Sequence, residues 1–375
     1  MDSASAPPAA TIVLWGGFAL ALVFGAIAAK TNFCTMGAVS DVVNMGHWGR
    51  MRMWLLAIAV ALVGANVLQL AGLVDLGQSI YRRPSLSWLS LLVGGALFGI
   101  GMSLAGGCAN KNLVRLGGGS LRSFVVLAFL AISSYMTLKG LFGQWRATWL
   151  DPVALDLGRF GLKDQGLGAL VARFTGLPPA QALQATVAAA AAGLLWVVFK
   201  DKRFRTNPVQ VLGGLALGAL VVGGWYLTGH LGYGENPETL ETVYFATNTR
   251  TLESMSFVSP LAYTLELLML WTDRSLHLSY GIATALGVVL GSTAHALATA
   301  RFRWEGFASL ADLRNQLVGA VLMGFGGVTA MGCTIGQGLT GISTLAIGSL
   351  IALAGIVAGS VATLRVINWR ESRLG

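Results

Sequence analysis

"GGALFGIGMSLAGGCANKN", residues 94–112, begins as an apolar helix and stops at a double glycine, a cysteine and a short polar run. The pattern returns later as "GAVLMGFGGVTAMGC" (319–333). Aligned at a constant offset, Gly94, Leu97, Gly99, Gly101, Ala105, Gly107 and Cys108 recur as Gly319, Leu322, Gly324, Gly326, Ala330, Gly332 and Cys333. A looser third case, "KTNFCTMGAVSD" (30–41), follows the first apolar run. The three cysteines of the chain, Cys34, Cys108 and Cys333, therefore all sit where an apolar helix is expected to break.

Composition decides the solvent in which those helices lie. Hydrophobic residues make up 55% of the chain and charged residues 11%, against roughly 25% charged in a soluble domain. Mean hydropathy is +0.69. Such a chain cannot cover a water-facing surface, and its long apolar runs read as transmembrane helices. The expectation is an all-α polytopic protein in a lipid bilayer, with about nine spans. They fall near 12–29, 52–73, 87–105, 122–141, 182–199, 209–229, 279–298, 316–331 and 343–367. The segment 257–272 is shorter, carries Pro260 and Glu266, and reads as re-entrant or interfacial.

A net charge of +9 might point to nucleic acid, but its placement points to topology. Positive charge in short loops marks the cytoplasmic side. With "KDKRFR" (200–205) inside, the loop 230–256 with Glu235, Glu238, Glu241 and Glu253 falls outside. Lys30, Arg50, Arg52, Lys111, Arg115 and Arg122 fall inside, as do Arg301, Arg303 and Arg314 and the basic C-terminus. The N-terminus is then external, Arg82 and Arg83 fall outside against the trend, and the loop 142–181, mixed in sign, also comes out external. The two Gly-Cys motifs run in opposite directions. One integral membrane domain (1–375) divides into a first repeat (about 10–142), an external loop (about 142–181), linking spans (about 182–229) and a second, inverted repeat (about 257–367). Inverted repeats built on interrupted helices are a recurring transporter architecture.

The thiols admit several readings. Cysteine is often a small buried apolar residue. Three widely spaced cysteines make a poor disulfide scaffold, and the scattered histidines give no metal-ligand spacing and no cofactor motif. A permeation path remains, in which a polarizable thiol suits a sulfur-rich cargo and glycine-rich backbone N–H groups suit an anion. Thiosulfate has both features. Sulfide, persulfide, sulfite or a selenium compound stay open, as does a membrane thiol oxidoreductase.

The motifs "NFCTMGA", "GMSLAGGCANKNLVRLG", "FRWEGF" (302–307) and "GAVLMGFGGVTAMGCTIGQGLTGIS" resemble the YeeE/YedE family of inner-membrane thiosulfate transporters. The resemblance implies an hourglass path with loops entering from both faces, and contacting thiols at Cys34, Cys108 and Cys333. It places Gly107, Ala109 and Asn110 beside the second thiol, and Gly332, Thr334, Ile335, Gly336 and Gln337 beside the third. It also implies a separate TusA-like cytoplasmic sulfurtransferase as partner. The chain departs from the family pattern at Asn110, Lys111 and Asn112, where a glycine is common, and at Gln337, where histidine is expected.

Lys111 and Arg115 could draw an anion towards the inner end, or could be ordinary positive-inside residues. Moving a dianion against a negative interior costs about 4.6 kcal/mol per 100 mV, at ~2.3 per charge. Proton coupling usually leaves an intramembrane carboxylate. Within the apolar stretches only Glu266 qualifies, while Asp41, Asp75 and Asp273 lie near span ends. The expectation is facilitated passage followed by trapping inside.

Overall fold

Helix boundaries follow local capping chemistry. In a computed structural model describing residues 8–235, 240–307 and 309–374, the chain forms fifteen α-helices and two short hairpins or strand pairs; Glu238 lies outside the described residues. In chain order the helices are α1 (Pro8–Thr31), α2 (Thr35–Met45), α3 (Gly49–Leu70), α4 (Trp88–Leu104), α5 (Ala109–Gly117), α6 (Leu121–Lys139), α7 (Leu141–Trp145), α8 (Leu167–Thr175) and α9 (Pro179–Phe199). There follow α10 (Lys202–Arg205), α11 (Pro208–Tyr226), α12 (Ser259–Met269), α13 (Tyr280–Ala298), α14 (Leu310–Thr329) and α15 (Ile347–Leu374). Asn207, Ser279 and Ser309 accept from the third backbone N–H of α11, α13 and α14. Each cap satisfies a donor that the helix itself cannot.

Among the described residues eight helices, counting those joined at a break, are long and apolar enough to cross a membrane. The chain is an all-α multi-pass membrane protein. The one expected span outside this set, 316–331, is helical as α14, whose first turns carry Asp312 and Arg314. The segment 257–272 contains only the 11-residue α12. At 17 residues α4 is about 25 Å long, short of a hydrocarbon core of about 30 Å.

The glycines set the packing. On α4, a Cβ at Gly94 would lie 2.6 Å from Ala330 N and one at Gly101 2.5 Å from Gly319 O, so α4 and α14 cross antiparallel with backbones touching. The opposite face of α4 meets α15 in parallel, with Gly95 against Ala352 and Gly99 against Ile356. The same relations recur elsewhere. Gly16, Gly223 and Gly213 set α1 antiparallel to α11, while α1 runs parallel to α13 and α3 parallel to α11. Small residues permit this approach where lipid offers no hydrophobic drive between helices.

Polar contacts collect at two ends. At one, Arg52 pairs with Asp201, Arg122 with Asp312, and Asn44 with Asn368. At the other, the 142–181 loop is tied down. Arg82, 5% exposed, donates to both carboxylate oxygens of Asp164 at 2.8 and 3.0 Å and to Gln69 at 3.0 Å. Gln165 spans from Arg83 O to the backbone N–H groups of Ile347 and Gly348. The cation that opposed the charge rule is thus the anchor of this loop.

Gly99→Leu is expected to lower stability by roughly 1–3 kcal/mol, since its Cβ would sit 2.1 Å from Ile356 O. Gly193→Ala on α9, with nothing within 4 Å of the new Cβ, should instead be neutral or gain up to about 1 kcal/mol. Thermal unfolding of the purified protein in detergent compares them, and equal midpoints would refute the close-packing account.

Candidate functional site

Each cysteine follows the same backbone device. A helix ends, and two residues before the cysteine a residue adopts left-handed backbone: Asn32 (φ 52°), Gly106 (φ 66°) or Met331 (φ 55°). The next residue returns its N–H to a carbonyl five positions back. Phe33 bonds Ala28 at 3.1 Å, Gly107 bonds Met102 at 2.9 Å and Gly332 bonds Gly327 at 2.8 Å. This is the Schellman stop, which satisfies carbonyls that a helix end leaves bare. The cysteine then opens the next helical turn, as the N-cap of α2, the N-cap of α5, or, for Cys333, by accepting Gln337 N on its carbonyl three residues ahead of a wide π-type turn at Gly336–Gly341. Cys34 Sγ accepts from Gly37 N and Cys333 Sγ from Gly336 N, both at 3.4 Å.

The three breaks meet. Cys34, Cys108 and Cys333 are 5%, 1% and 0% exposed and belong to one buried cluster with Ala109 and Ile335. The thiols of Cys34 and Cys108 are neighbours, and the Thr334 hydroxyl adjoins Cys108. Gly107 and Gly332 hold close turns, with Lys111 Cγ and Gln337 Cγ each 3.1 Å from where a Cβ would project. None of the three cysteines is in a disulfide.

Around this cluster, polar atoms are buried without hydrogen-bond partners: Thr35 Oγ1, Trp54 Nε1, both amide atoms of Asn110, Thr334 Oγ1 and Gln337 Oε1. Trp54 reaches the site through Gly338, where a Cβ would lie 2.8 Å from its ring. A buried polar group without a partner costs about 1–3 kcal/mol, so several together mark a place built to meet something else. Thr35 stood in the quoted "NFCTMGA" motif without being singled out. Trp54 carries no sequence signal, because it sits in an ordinary apolar run.

The nearby cations brace the breaks. Lys111 Nζ donates to Asn32 Oδ1 at 3.1 Å, and Arg115 donates to Gly106 O at 3.0 Å, so each holds a left-handed residue. The carboxylates near span ends are also engaged: Asp41 pairs with Arg50, Glu266 with Lys139, Asp75 accepts from Gly77 N, and Asp273 from Ser275 N. Backbone donation holds the Asp273 carboxyl below the usual carboxylate range. Among the described residues no three His, Cys, Asp or Glu side chains converge to hold a metal ion.

This geometry can hold a small group at helix starts lined by thiols and unpaired polar atoms. The profile of a family described as sulphur transport matches residues 30–362. The chain belongs to that family. It is 27% identical over 341 residues to the thiosulfate transporter TsuA of Escherichia coli, covering 87% of each chain. It is 25% identical over 358 residues to the thiosulfate transporter TsuA of Spirochaeta thermophila, covering 93% of this chain and 97% of that one. The protein is a transporter rather than an enzyme.

The left-handed positions give a direct test. Gly106→Val places a β-branched residue at φ 66° and should cost about 1–2 kcal/mol, whereas Met331→Gly at φ 55° should be tolerated. Thermal midpoints of the two variants report this, and a Gly106→Val protein as stable as its parent would contradict it.

Proposed function

We propose that the chain imports thiosulfate across the bacterial inner membrane, through a constriction formed where its three cysteine-bearing helix breaks meet. The observation that carries this reading is the convergence of Cys34, Cys108 and Cys333 with the unpartnered Thr35, Trp54, Asn110, Thr334 and Gln337 atoms. Gly107, Ala109, Gly332, Ile335 and Gly336 complete the lining in this reading.

The thiols act as neutral donors, because three thiolates would repel a dianion. In Cys34 and Cys333 a backbone N–H occupies one sulfur lone pair, which leaves the S–H proton to point at a passing sulfur. The starts of α2 and α5 add partial positive charge without a fixed counter-ion. Each contact is weak, as conduction requires, since a site that binds tightly does not release. Lys111 and Arg115 contribute field at the inner end while bracing the breaks.

In this proposal the path lies between two halves related by inversion, α1–α6 and α11–α15, with the 142–181 loop and α9 between them; the second half thus begins at α11, which the sequence counts among the linking spans, rather than at about 257. Pairing supports it: α1 lies antiparallel to its counterpart α11, and α4 to its counterpart α14. The cross pairs match as well, α1 with α13 answering α3 with α11, and α4 with α15 answering α6 with α14. The N-terminus is placed outside and the C-terminus in the cytoplasm by the positive loops, which share one end. A separate TusA-like sulfurtransferase inside would consume the product and keep the gradient inward.

The test is uptake of sulfane-labelled thiosulfate by cells lacking other sulfur importers. Cys34→Ala, Cys108→Ala and Cys333→Ala should each reduce uptake about tenfold or more, equivalent to about 1.4 kcal/mol, at equal membrane abundance. Strong wild-type uptake with unaffected variants would leave the thiols as packing. No wild-type uptake would redirect the search to sulfide, persulfide, sulfite or selenium species, tested by the same assay.

A further inference from the structure

Outside the thiol cluster, on the side of the Cys333 break, lies a cavity of about 50 Å³. At roughly 10–15 Å³ per probe sphere it has room for a few waters. Its walls come from the 80–81 segment, the 248–256 loop, and the starts of α12 and α13. Met331, the left-handed residue of the third break, forms part of its lining. Ser256 and Tyr81 press on Gly336, with Ser256 Oγ 2.6 Å and Tyr81 Oη 3.5 Å from where a Cβ would be. The N–H of Gly336 is the donor held by Cys333 Sγ. The cavity therefore abuts the backbone that positions the third thiol.

One carboxylate lines this cavity, that of Glu253. Its Oε1 accepts from Thr249 N at 2.9 Å and Thr249 Oγ1 at 2.5 Å. Among the described residues no cation pairs with it, and Arg250, three positions earlier, makes no ion pair there. The titratable groups facing it are phenols: Tyr81 from the 80–81 segment, Tyr263 from α12 and Tyr280 from α13. The same cavity also holds an acceptor with no donor, the buried Oδ1 of Asn248. A carboxylate has nothing to give that oxygen, whereas a carboxylic acid has an O–H. A negative charge at this point would meet an incoming anion with repulsion that no cation offsets.

We infer that Glu253 is an external proton site, and that an anion passes from the outer face to Cys333 only while this carboxyl holds a proton. This rests on the transport reading above and adds its dependence on external protons. External water supplies the proton through the cavity; the neutral acid donates to Asn248 Oδ1, and the charge facing the anion is gone. Burial acts in the same direction, pushing the Glu253 carboxyl above its usual range, against the opposing Thr249 bonds. The sign follows: the acid form persists to higher pH than for a free glutamate, and passage falls as external pH rises through that raised value.

The experiment is the initial rate of labelled thiosulfate uptake in proteoliposomes of the full chain, with external pH raised stepwise from the ordinary glutamate range, about 4.5, to about 8 at fixed internal pH. Thiosulfate keeps its dianionic charge throughout. In the parent protein the rate should fall about fivefold or more across this range, as one carboxyl loses its proton. In Glu253→Gln, which is neutral at every pH, the ratio of the two rates should approach 1. Thr249→Val removes a donor that favours the ionised form and should move the midpoint up by about half a unit. A parent rate that ignores pH, or a Glu253→Gln protein retaining the parent's fall, overturns the inference. If Glu253→Gln fails to reach the membrane, an unmoved midpoint in Thr249→Val overturns it instead. Absence of parent uptake at every pH is a different failure, that of thiosulfate transport itself.

Discussion

Everything distinctive in this protein follows from ending a helix inside a membrane. A helix end exposes carbonyls, and hydrocarbon offers them nothing. Here the left-handed turn returns one N–H to a carbonyl five residues back, three times over, at Phe33, Gly107 and Gly332. Once the first helix is closed in this way, the next residue is free to cap a new one. Cysteine occupies that position each time. The thiol is thus presented by backbone geometry, and its neighbours are the starting N–H groups of a second helix. Stopping the helix and building the site are one event.

The glycine pattern serves this constraint at a distance. Stops from separate helices meet only if those helices approach within backbone contact. Gly94, Gly101, Gly319 and Gly326 bring α4 and α14 together across one face, and Gly95 and Gly99 admit α15 on the other. The 142–181 loop then holds the far side: Gln165 donates to Arg83 O and accepts from Gly348 N, and its carbonyl takes the Ile347 N–H at the start of α15. An ion pair that looked misplaced by charge, Arg82 with Asp164, fixes that loop. Packing at that end therefore depends on residues far from the thiols in sequence.

What could be read from the chain, and what could not, divides along that line. The stops after α4 and α14 were legible because a glycine ladder and a cysteine recur in register. The stop after α1 was weaker, as its helix does not repeat that ladder in register, and only Cys34 drew attention to it. The cations Lys111 and Arg115 read as end charges, yet their donors are committed to Asn32 and Gly106. That could not be foreseen, since it needs the α1 and α4 breaks side by side. Trp54 and Thr35 looked like an apolar residue in a span and a polar residue in a turn. Their unpartnered atoms become visible only in the assembled core. Glu253 passed as one of several acids in an outer loop, because its lack of a cation is a property of the cavity around it.

On the proposed reading of two inverted halves, the halves differ in a way that bears on mechanism. α2 and α12 are each 11 residues long and each anchored by an acid–base pair, Asp41 with Arg50 and Glu266 with Lys139. Cys34 precedes α2, while Val258 stands in the corresponding place before α12. A thiol there would have given each half two. Instead two thiol-bearing breaks carry Lys111 and Arg115 beside them, and the third has Met331 against a cavity holding a lone carboxyl. On the transport reading, an anion approaching Cys333 meets a group that proton binding can neutralise. An anion at Cys34 and Cys108 is held near fixed positive charge. On that reading the outer approach is conditional and the inner one is not, while the helix pairings of the two proposed halves match. Function departs from symmetry at the side chains, where single substitutions suffice to change it.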